Sequence, residues 1–432
     1  MPKKRVVLAV HGGAGIILRS ALTPELEAEY RSALRDALTA GYDALMTSSN
    51  DHAETNALGG EEEAQVAVNA VEAAVRCMED CHLFNAGKGS VFANDEQIRC
   101  DASIMTCAFD EATFNKGNDD DDDATNDKNT SKDSKNIKSC HQIVRRRKYP
   151  KTPHPRAGAI AGVSNIQNPI SLARAVMDRT PHVMLIGQGA QDFARELPKE
   201  ARVEFQPDEY FWTERRWRQL VHVRDCEEKE EEGQKVKQQV RIVQLDHSSP
   251  LSLEQHESRD HQQQHHHCDD KKFGTVGCIA LHRPNPNMNA YQLASATSTG
   301  GMTNTRYHRV GDSPIIGAGT YANHLCAVSC TGHGEWFIRC VAANDIAKRL
   351  EYRHGYDGTE CASDDTLLKR ALDEVIFGTL MAESDDGEQG GDGGAIVLDK
   401  DGNFAADMNC PGMYHGWVYE DGEMETRIFW DE

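Results

Sequence analysis

The sequence lacks the features that mark membrane, secreted and nucleic-acid-binding proteins. No stretch approaches the roughly 18 consecutive apolar residues that a membrane span needs. The basic start of the chain leads into a short apolar run, Val6 to Val10, so a secretory signal peptide is not predicted. Acidic residues outnumber basic ones 69 to 47, and the net charge of −22 argues against a nucleic-acid-binding surface. We therefore expect no membrane partner and no nucleic-acid partner.

Cysteine occurs without the pattern of a disulfide framework. The 13 cysteines are odd in number, lie scattered from Cys77 to Cys410 and include no CxxC pair. Free thiols in a reducing compartment account for them. We therefore predict a cytoplasmic location.

Three segments are too polar to supply core: 47–64, 114–155 and 224–272. Such segments cannot bury enough apolar surface to offset chain entropy, so we predict disordered or loosely ordered insertions. The basic run at 145–148 is interpreted as a solvated loop rather than a targeting signal. The His-rich run at 265–268 is interpreted as low-complexity sequence rather than a metal site. The remaining residues, about 320, suit one α/β-type domain.

The rest of the chain has readable periodicity. A short apolar run at 6–10 predicts a first strand, and Thr23 and Pro24 predict the start of a helix that ends near Leu45. Two apolar runs, 275–282 and 291–298, predict a β-hairpin. Further predicted elements are helices over 63–79, 334–352 and 363–383 and strands over 183–186, 394–398, 404–408 and 413–430. This order suits sheets packed face to face with helices outside.

Gly274 and Thr275 lie where the third polar segment gives way to an apolar run. Glycine leaves the peptide bond uncrowded, and threonine carries a hydroxyl close to its own amide nitrogen. Cleavage between them would give Thr275 a nucleophile and an α-amino group, whose ordinary pKa of about 7.7 leaves a useful neutral fraction near pH 7. That amine could take the hydroxyl proton. Alone, Gly-Thr-Val-Gly equally fits an ordinary entry into a strand.

Glycine-rich polar segments follow at 296–304, 309–314, 317–322 and 328–335. Polar residues among glycines let backbone and hydroxyl donors approach a small substrate closely. These segments resemble the plant-type L-asparaginase/isoaspartyl peptidase family of Ntn (N-terminal nucleophile) hydrolases. Further matching segments are 11–15, 83–89, 157–168, 182–189, 274–277 and 390–394.

The resemblance implies a fold and a maturation step. The fold is α+β, an αββα four-layer sandwich made as an inactive precursor. Cleavage between Gly274 and Thr275 would give an α subunit, 1–274, and a β subunit, 275–432, which together form one domain. The family also implies a dimer of αβ heterodimers.

The resemblance further implies roles for individual residues. Thr275 is the autoprocessing residue and nucleophile, Thr299 assists it, and Asn85 lies close to it. Thr331 (hydroxyl) and Gly332 (backbone N–H) form the oxyanion hole and contact substrate. Arg309 would bind the substrate α-carboxylate and Asp312 its α-ammonium group, roles that suit a planar guanidinium and a carboxylate. The remaining implied residues are Gly334, for a backbone contact, and the backbone carbonyls of Met78, Glu79, Cys81, Phe84, Ala86 and Lys88, for a structural monovalent cation such as sodium.

The implied activity is hydrolysis of L-asparagine and of isoaspartyl dipeptides, with no required cofactor. His11 and His333 are assigned to the structure or the periphery of the site, because the mechanism already has a base. Two alternatives stay open. One is a related Ntn hydrolase acting on glycosylated asparagine, and the other is an unprocessed, inactive binding protein.

Overall fold

The computed structural model describes residues 4–51, 65–110, 154–233, 274–284, 289–356, 364–382 and 390–432. Its helices are α1 (Pro24–Asp51), α2 (Val66–Glu79), α3 (Pro169–Arg179), α4 (Gly187–Glu196), α5 (Asp208–Phe211), α6 (Glu214–Gly233), α7 (Gly334–Cys340), α8 (Ala342–Tyr356) and α9 (Asp364–Asp373). Short 3₁₀ turns occur at Gly87–Gly89 and Lys199–Ala201, and a π-helical turn at Glu374–Thr379. Within the described ranges, no helix is both long and apolar enough to cross a membrane.

The strands are β1 (Val6–Gly15), β2 (Cys100–Asp110), β3 (Arg156–Val163), β4 (Met184–Ile186), β5 (Val276–His282), β6 (Ala290–Thr299), β7 (Thr320–Ala322), β8 (Cys326–Gly332), β9 (Gly393–Asp399), β10 (Phe404–Met408), β11 (Gly412–Tyr419) and β12 (Met424–Arg427). They form an eight-stranded sheet in the order β12-β11-β1-β5-β6-β2-β3-β4 and a four-stranded sheet in the order β10-β9-β8-β7. Neighbouring strands are antiparallel except β3 and β4, which run parallel.

β5 lies in the interior of the large sheet, between β1 and β6. Every residue of this strand is buried, from Val276 to His282. A strand that is covered on both faces needs apolar or small residues on both, which accounts for its continuous apolar run. The start of β5, where Gly274 and Thr275 stand, is therefore held inside the molecule.

Three apolar clusters join the sheets and helices. The first packs one face of the large sheet against α1, α2 and α3, and includes Leu8 and Val10 of β1. The second joins the opposite face, including Ala9 of β1, to the small sheet. The third packs the small sheet against α7, α8 and α9. Alternate residues of β1 thus serve different cores, as the period of two in a strand requires. The prediction of a mixed α+β fold is confirmed.

Two of the predicted insertions start later than the sequence indicated. Helix α1 continues through Asp51, five residues into the segment 47–64, and α6 continues through Gly233, ten residues into 224–272. The prediction of loose structure is wrong for these residues. Helix α6 is anchored by Arg224, which donates to Glu96 at 2.7 Å and to the carbonyl of Asn94 at 2.8 Å. Residues 52–64, 114–153 and 234–272 of the predicted insertions lie outside the described residues.

Two long predicted helices are each divided. The helix predicted over 334–352 is α7 followed by α8, with a break at Val341, whose φ of 50° lies in the left-handed region. A β-branched residue seldom adopts that conformation, so periodicity alone could not predict the break. The segment 363–383 contains α9 and then the π-helical turn. Periodicity also missed β2, β3, β7 and β8.

Candidate active site

The predicted cleavage site lies at the buried entrance to β5. Thr275 is only 5% exposed. Its carbonyl oxygen lies 3.1 Å from Nδ1 of His11 on β1, and its hydroxyl lies 3.3 Å from the hydroxyl of Thr299 at the end of β6. The two strands that flank β5 therefore both contribute side chains to Thr275.

Thr299 links the Thr275 hydroxyl to the peptide bond before it. Its hydroxyl donates to the carbonyl oxygen of Gly274 at 2.9 Å and accepts the backbone N–H of Gly301 at 3.0 Å. Because its single proton is used on Gly274, Thr299 acts as the acceptor for the Thr275 hydroxyl. The predicted nucleophile is thus connected to the carbonyl that it would attack.

Asn85 is a second donor to the same carbonyl. Its Nδ2 donates to the carbonyl oxygens of Gly274, at 2.9 Å, and Gly301, at 2.7 Å. Its Oδ1 accepts the backbone N–H of Val91 at 2.9 Å, which fixes the orientation of the amide. The Gly274 carbonyl therefore receives two fixed donors, the arrangement that stabilises negative charge developing on an oxygen.

Thr331 and Gly332, the predicted oxyanion-hole residues, end β8 in the small sheet. The Thr331 hydroxyl is buried and accepts the backbone N–H of Ala14 at 3.2 Å. Ala14 lies three residues after His11 on β1, so this strand contacts both the predicted nucleophile and the predicted oxyanion hole. Gly332 has a φ of 147°, and a Cβ there would collide with the carbonyl of Asp392. Glycine is required at this position.

Arg309, Asp312 and Gly334, the residues predicted to bind the substrate head group, lie together. A Cβ on Gly334 would lie 2.8 Å from Oδ1 of Asp312 and 2.9 Å from Nη2 of Arg309, so the glycine leaves room between the two charged groups. Arg309 makes a bidentate ion pair with Glu335, at 2.8 and 2.7 Å. Sequence reasoning missed Glu335, which follows Gly334 directly and holds the guanidinium in a fixed orientation.

Two buried carboxyl groups lie near Arg309. Burial raises the pKa of Asp312 to about 7, with Arg309 opposing the shift. Its Oδ2 has no hydrogen-bond partner among the described residues. Burial likewise raises the pKa of Asp101 to about 6, and Asp101 accepts the backbone N–H of Gly162 at 2.7 Å. Asp101 was missed too, although an acidic residue just before the mostly apolar stretch of β2 is a usable signal.

The predicted cation-binding carbonyls belong to the end of α2 and the loop that follows it. A Cβ on Gly87 would collide with the carbonyl oxygen of Glu79, and a Cβ on Gly89 with that of Phe84. These two oxygens therefore turn inward over the glycines, and carbonyl oxygen is a donor that hard cations prefer. The loop fits a monovalent cation in this respect. The other predicted carbonyls are those of Met78, Cys81, Ala86 and Lys88, of which those of Met78 and Ala86 accept backbone N–H groups at 3.2 and 3.1 Å.

A buried arginine also contacts this loop. Arg216 of α6 is completely buried and donates to the carbonyl oxygens of Gly89, at 2.6 Å, and Leu83, at 3.3 Å. These carbonyls flank the segment that contains Asn85. Sequence reasoning missed Arg216 because its neighbours Glu214, Arg215 and Arg218 are typical of a solvated helix face.

Comparison with known proteins gives matches over almost the whole chain. A family profile described as Asparaginase matches residues 4–113 and 152–428. Isoaspartyl peptidase of Escherichia coli strain K12 is 36% identical over 427 residues, covering 98% of this chain and 96% of the relative. Putative isoaspartyl peptidase/L-asparaginase of Dictyostelium discoideum is 34% identical, covering 98% and 96%. Probable isoaspartyl peptidase/L-asparaginase 2 of Arabidopsis thaliana is 30% identical, covering 98% of both chains.

Proposed function

The chain belongs to the asparaginase family. We propose that it hydrolyses L-asparagine to L-aspartate and ammonia, and N-terminal isoaspartyl (β-aspartyl) peptides to L-aspartate and the shortened peptide. The names of its relatives support both activities. The observation that carries the proposal concerns the Gly274 carbonyl. Its oxygen accepts hydrogen bonds from Asn85 and Thr299, and Thr299 also contacts the Thr275 hydroxyl.

We propose that the first reaction of the chain is its own cleavage. The Thr275 hydroxyl attacks the carbonyl carbon of Gly274, the bond to the Thr275 nitrogen breaks, and an ester forms. Asn85 and Thr299 stabilise the oxyanion, and the freed nitrogen takes up a proton to become the α-amino group. Water then hydrolyses the ester, leaving a carboxylate on Gly274 and restoring the Thr275 hydroxyl. The products are an α subunit of 274 residues and a β subunit of 158 (432 − 274), assembled in an αββα sandwich.

In the processed protein the α-amino group of Thr275 serves as the base. It takes the proton of its own hydroxyl as that oxygen attacks the side-chain carbonyl of the substrate. Thr331 and Gly332 would donate to the oxyanion. The leaving group departs as ammonia or as a peptide amine after receiving the proton, and a β-aspartyl ester remains on Thr275. Water cleaves that ester and releases L-aspartate.

The cluster of Arg309, Asp312 and Gly334 supports recognition of an α-amino acid head group. The guanidinium suits the α-carboxylate, and Asp312 in its ionised form suits the α-ammonium. Glu335 already holds two donors of Arg309, so the substrate carboxylate would meet the remaining ones. A head group fixed in this way would bring its β-carbonyl to Thr275.

Three further features are part of the proposal. A monovalent cation would be held by the carbonyls of the loop after α2 and would stiffen the segment that presents Asn85. The active form would be a dimer of αβ heterodimers. The location would be cytoplasmic, because the ten described cysteines all carry free thiols.

The test is a time course of the purified full-length chain on a denaturing gel, followed by assays with three substrates. We expect fragments of 274 and 158 residues, with threonine at the new N-terminus, and hydrolysis of L-asparagine and an isoaspartyl dipeptide. Comparison of kcat/KM for these two substrates would rank them. Preferential hydrolysis of glycosylated asparagine would favour that branch instead. A persistent single band with no product from any substrate would favour an inactive binding protein.

A further inference from the structure

The buried imidazole of His11 makes two hydrogen bonds whose directions can be deduced. Nδ1 lies 3.1 Å from the carbonyl oxygen of Thr275, and Nε2 lies 2.8 Å from the hydroxyl of Ser329 on β8. A carbonyl oxygen only accepts, so Nδ1 must carry the hydrogen. Burial lowers the pKa of His11 to about 3, and the ring is therefore neutral, with Nε2 accepting from Ser329. One tautomer satisfies both partners.

A row of buried hydroxyl groups on the far side of Ser329 is compatible with this tautomer. The Ser329 hydroxyl lies 2.8 Å from that of Thr297, and Thr320 donates to Thr297 at 2.5 Å. Once Ser329 donates to His11, its oxygen accepts from Thr297, and Thr297 accepts from Thr320. Each hydroxyl of this row thus donates in the direction of His11, and Nδ1 of His11 donates to the carbonyl of Thr275.

The contact between His11 and Ser329 explains the second glycine of Gly-Thr-Val-Gly, Gly277. A Cβ on Gly277 would collide with Oγ of Ser329 and Nε2 of His11. Gly277 pairs directly with His11 between β5 and β1. The absence of a side chain two residues after Thr275 therefore makes room for the His11–Ser329 contact.

We propose that His11 is a positioning residue, which holds the main chain of Thr275 so that its hydroxyl and amine stay aimed at the substrate. The inference rests on the proposed function. Cleavage would remove the covalent restraint on the amino side of Thr275, and the ladder pairing of β5 with β6 starts only at Val276. A new chain terminus frays unless it is tied down. The carbonyl of Thr275, held by His11, lies between the freed amine and the first paired residue.

The experiment compares asparagine and leucine at position 11. The two side chains have almost the same shape, but an asparagine amide nitrogen lies near the place of Nδ1 and can still donate to Thr275. Both replacements remove the rest of the ring, so their difference isolates the hydrogen bond. In fully cleaved protein we expect His11→Asn to keep kcat within about fivefold of wild type. His11→Leu should lose about 10²-fold, the scale expected for a misplaced reacting group.

Further measurements separate positioning from other roles. KM of His11→Leu should stay within about threefold of wild type, because the head-group residues are untouched, and the pH profile of kcat should keep its shape because no base is lost. His415 provides a matched control, since it is buried, faces His11 across β1 and β11, and bonds the carbonyl of Met413 at 2.8 Å. Asparagine and leucine at position 415 should give equal kcat values.

The outcomes are distinguishable. If His11→Leu cleaves itself too slowly to yield processed protein while His11→Asn cleaves normally, the inference is supported in the precursor, where the same carbonyl is held. If His11→Leu does not fold, His11→Ala takes its place as the variant without a donor. Equal kcat and cleavage rates in the donor and non-donor variants would overturn the inference while the function stands. A wild-type chain that neither cleaves nor hydrolyses would overturn the proposed function and the inference with it.

Discussion

The two ends of the candidate site are organised by different forces. Around Thr275 the contacting groups in the uncleaved chain are neutral: the hydroxyl of Thr299, the amide of Asn85 and the imidazole of His11. Around Asp312 they are charged or titratable, with Arg309 paired to Glu335 and the buried carboxyl group of Asp101 nearby. Neutral hydrogen bonds give fixed geometry with little dependence on pH, whereas buried charges give selectivity that depends strongly on it. We call the surroundings of Thr275 the neutral end and those of Asp312 the charged end. Changes at the neutral end should therefore lower kcat, and changes at the charged end should raise KM.

Thr275→Ala should have the largest effect, because it removes the nucleophile of both proposed reactions. We expect neither chain cleavage nor hydrolysis, measured by denaturing gel and by ammonia release from L-asparagine. Thr275→Ser keeps a hydroxyl and is the matched control, which should cleave and hydrolyse at reduced rates. Normal cleavage of Thr275→Ala would refute self-cleavage and would leave the neutral end without a role in chain cleavage.

Thr299→Val should come next, because it removes a hydroxyl while keeping the shape of the side chain. The Gly274 carbonyl loses one of its two donors, and Thr275 loses its acceptor. We expect cleavage to slow by about 10²–10³-fold, as for removal of one oxyanion donor. The kcat of the processed enzyme should also fall, because the nucleophile loses the hydroxyl that orients it. KM should change little. Thr299→Ser is the control that should recover most of the rate, and a normal kcat in Thr299→Val would contradict the assignment.

The neutral end was largely predictable from sequence, because its residues lie in short glycine-rich segments whose order identifies them. Thr275 directly precedes β5 and Thr299 ends β6. The two strands form one β-hairpin, and their pairing brings these two residues together at its open end. Asn85 followed from its segment, 83–89. His11 was named, but its contact with Thr275 was not foreseen, because it depends on β1 pairing with β5 across 264 residues of sequence.

The groups around the charged end were harder to predict. Arg309 and Asp312 followed from one segment, but Asp101 comes from β2 and Glu335 from α7. Their shared environment exists only after the two sheets have packed. Burial, which raises the pKa values of Asp101 and Asp312, is likewise a tertiary property. The sequence identifies which residues carry charge and leaves open which of them are desolvated together.

Asp312→Asn tests the charged end. A charge-assisted hydrogen bond contributes about 1.5–3 kcal/mol, so we expect KM for L-asparagine to rise roughly 10- to 100-fold while chain cleavage proceeds normally. Succinamate, which lacks the α-ammonium group, is the diagnostic substrate. The wild-type enzyme should discriminate strongly against it, and the variant should not. Slow cleavage in Asp312→Asn would show that the charged end also influences chain cleavage.

The raised pKa of Asp312 predicts that KM for L-asparagine depends on pH. Asp312 is ionised above its pKa of about 7 and neutral below it, with Arg309 favouring the ionised form and Glu335 and Asp101 opposing it. Binding of an ammonium group requires the ionised form, so acidification should weaken binding. We expect KM for L-asparagine to rise toward tenfold per pH unit below about pH 7 in the wild type. In Asp312→Asn that rise should disappear, and a wild-type KM that is flat between about pH 5.5 and 8 would contradict the role of Asp312.

Arg216→Met should have the smallest effect on activity. It tests whether a charged group that contacts the loop carrying Asn85 influences the neutral end. Methionine keeps much of the buried volume but leaves the Gly89 carbonyl without its 2.6 Å donor. An unsatisfied buried group costs about 1–3 kcal/mol, and we expect a loss of that size in the free energy of unfolding, measured with urea. kcat should stay within about threefold of wild type, because Asn85 keeps its own bonds to Gly274, Gly301 and Val91.

Arg218→Met is the control on the same helix: Arg218 is 56% exposed and pairs with Glu214, so its loss should change stability by no more than about 0.5 kcal/mol. If Arg216→Met instead kept its stability and lost most of its kcat, the guanidinium would act on the reaction itself, and the neutral end would not be neutral in its electrostatics.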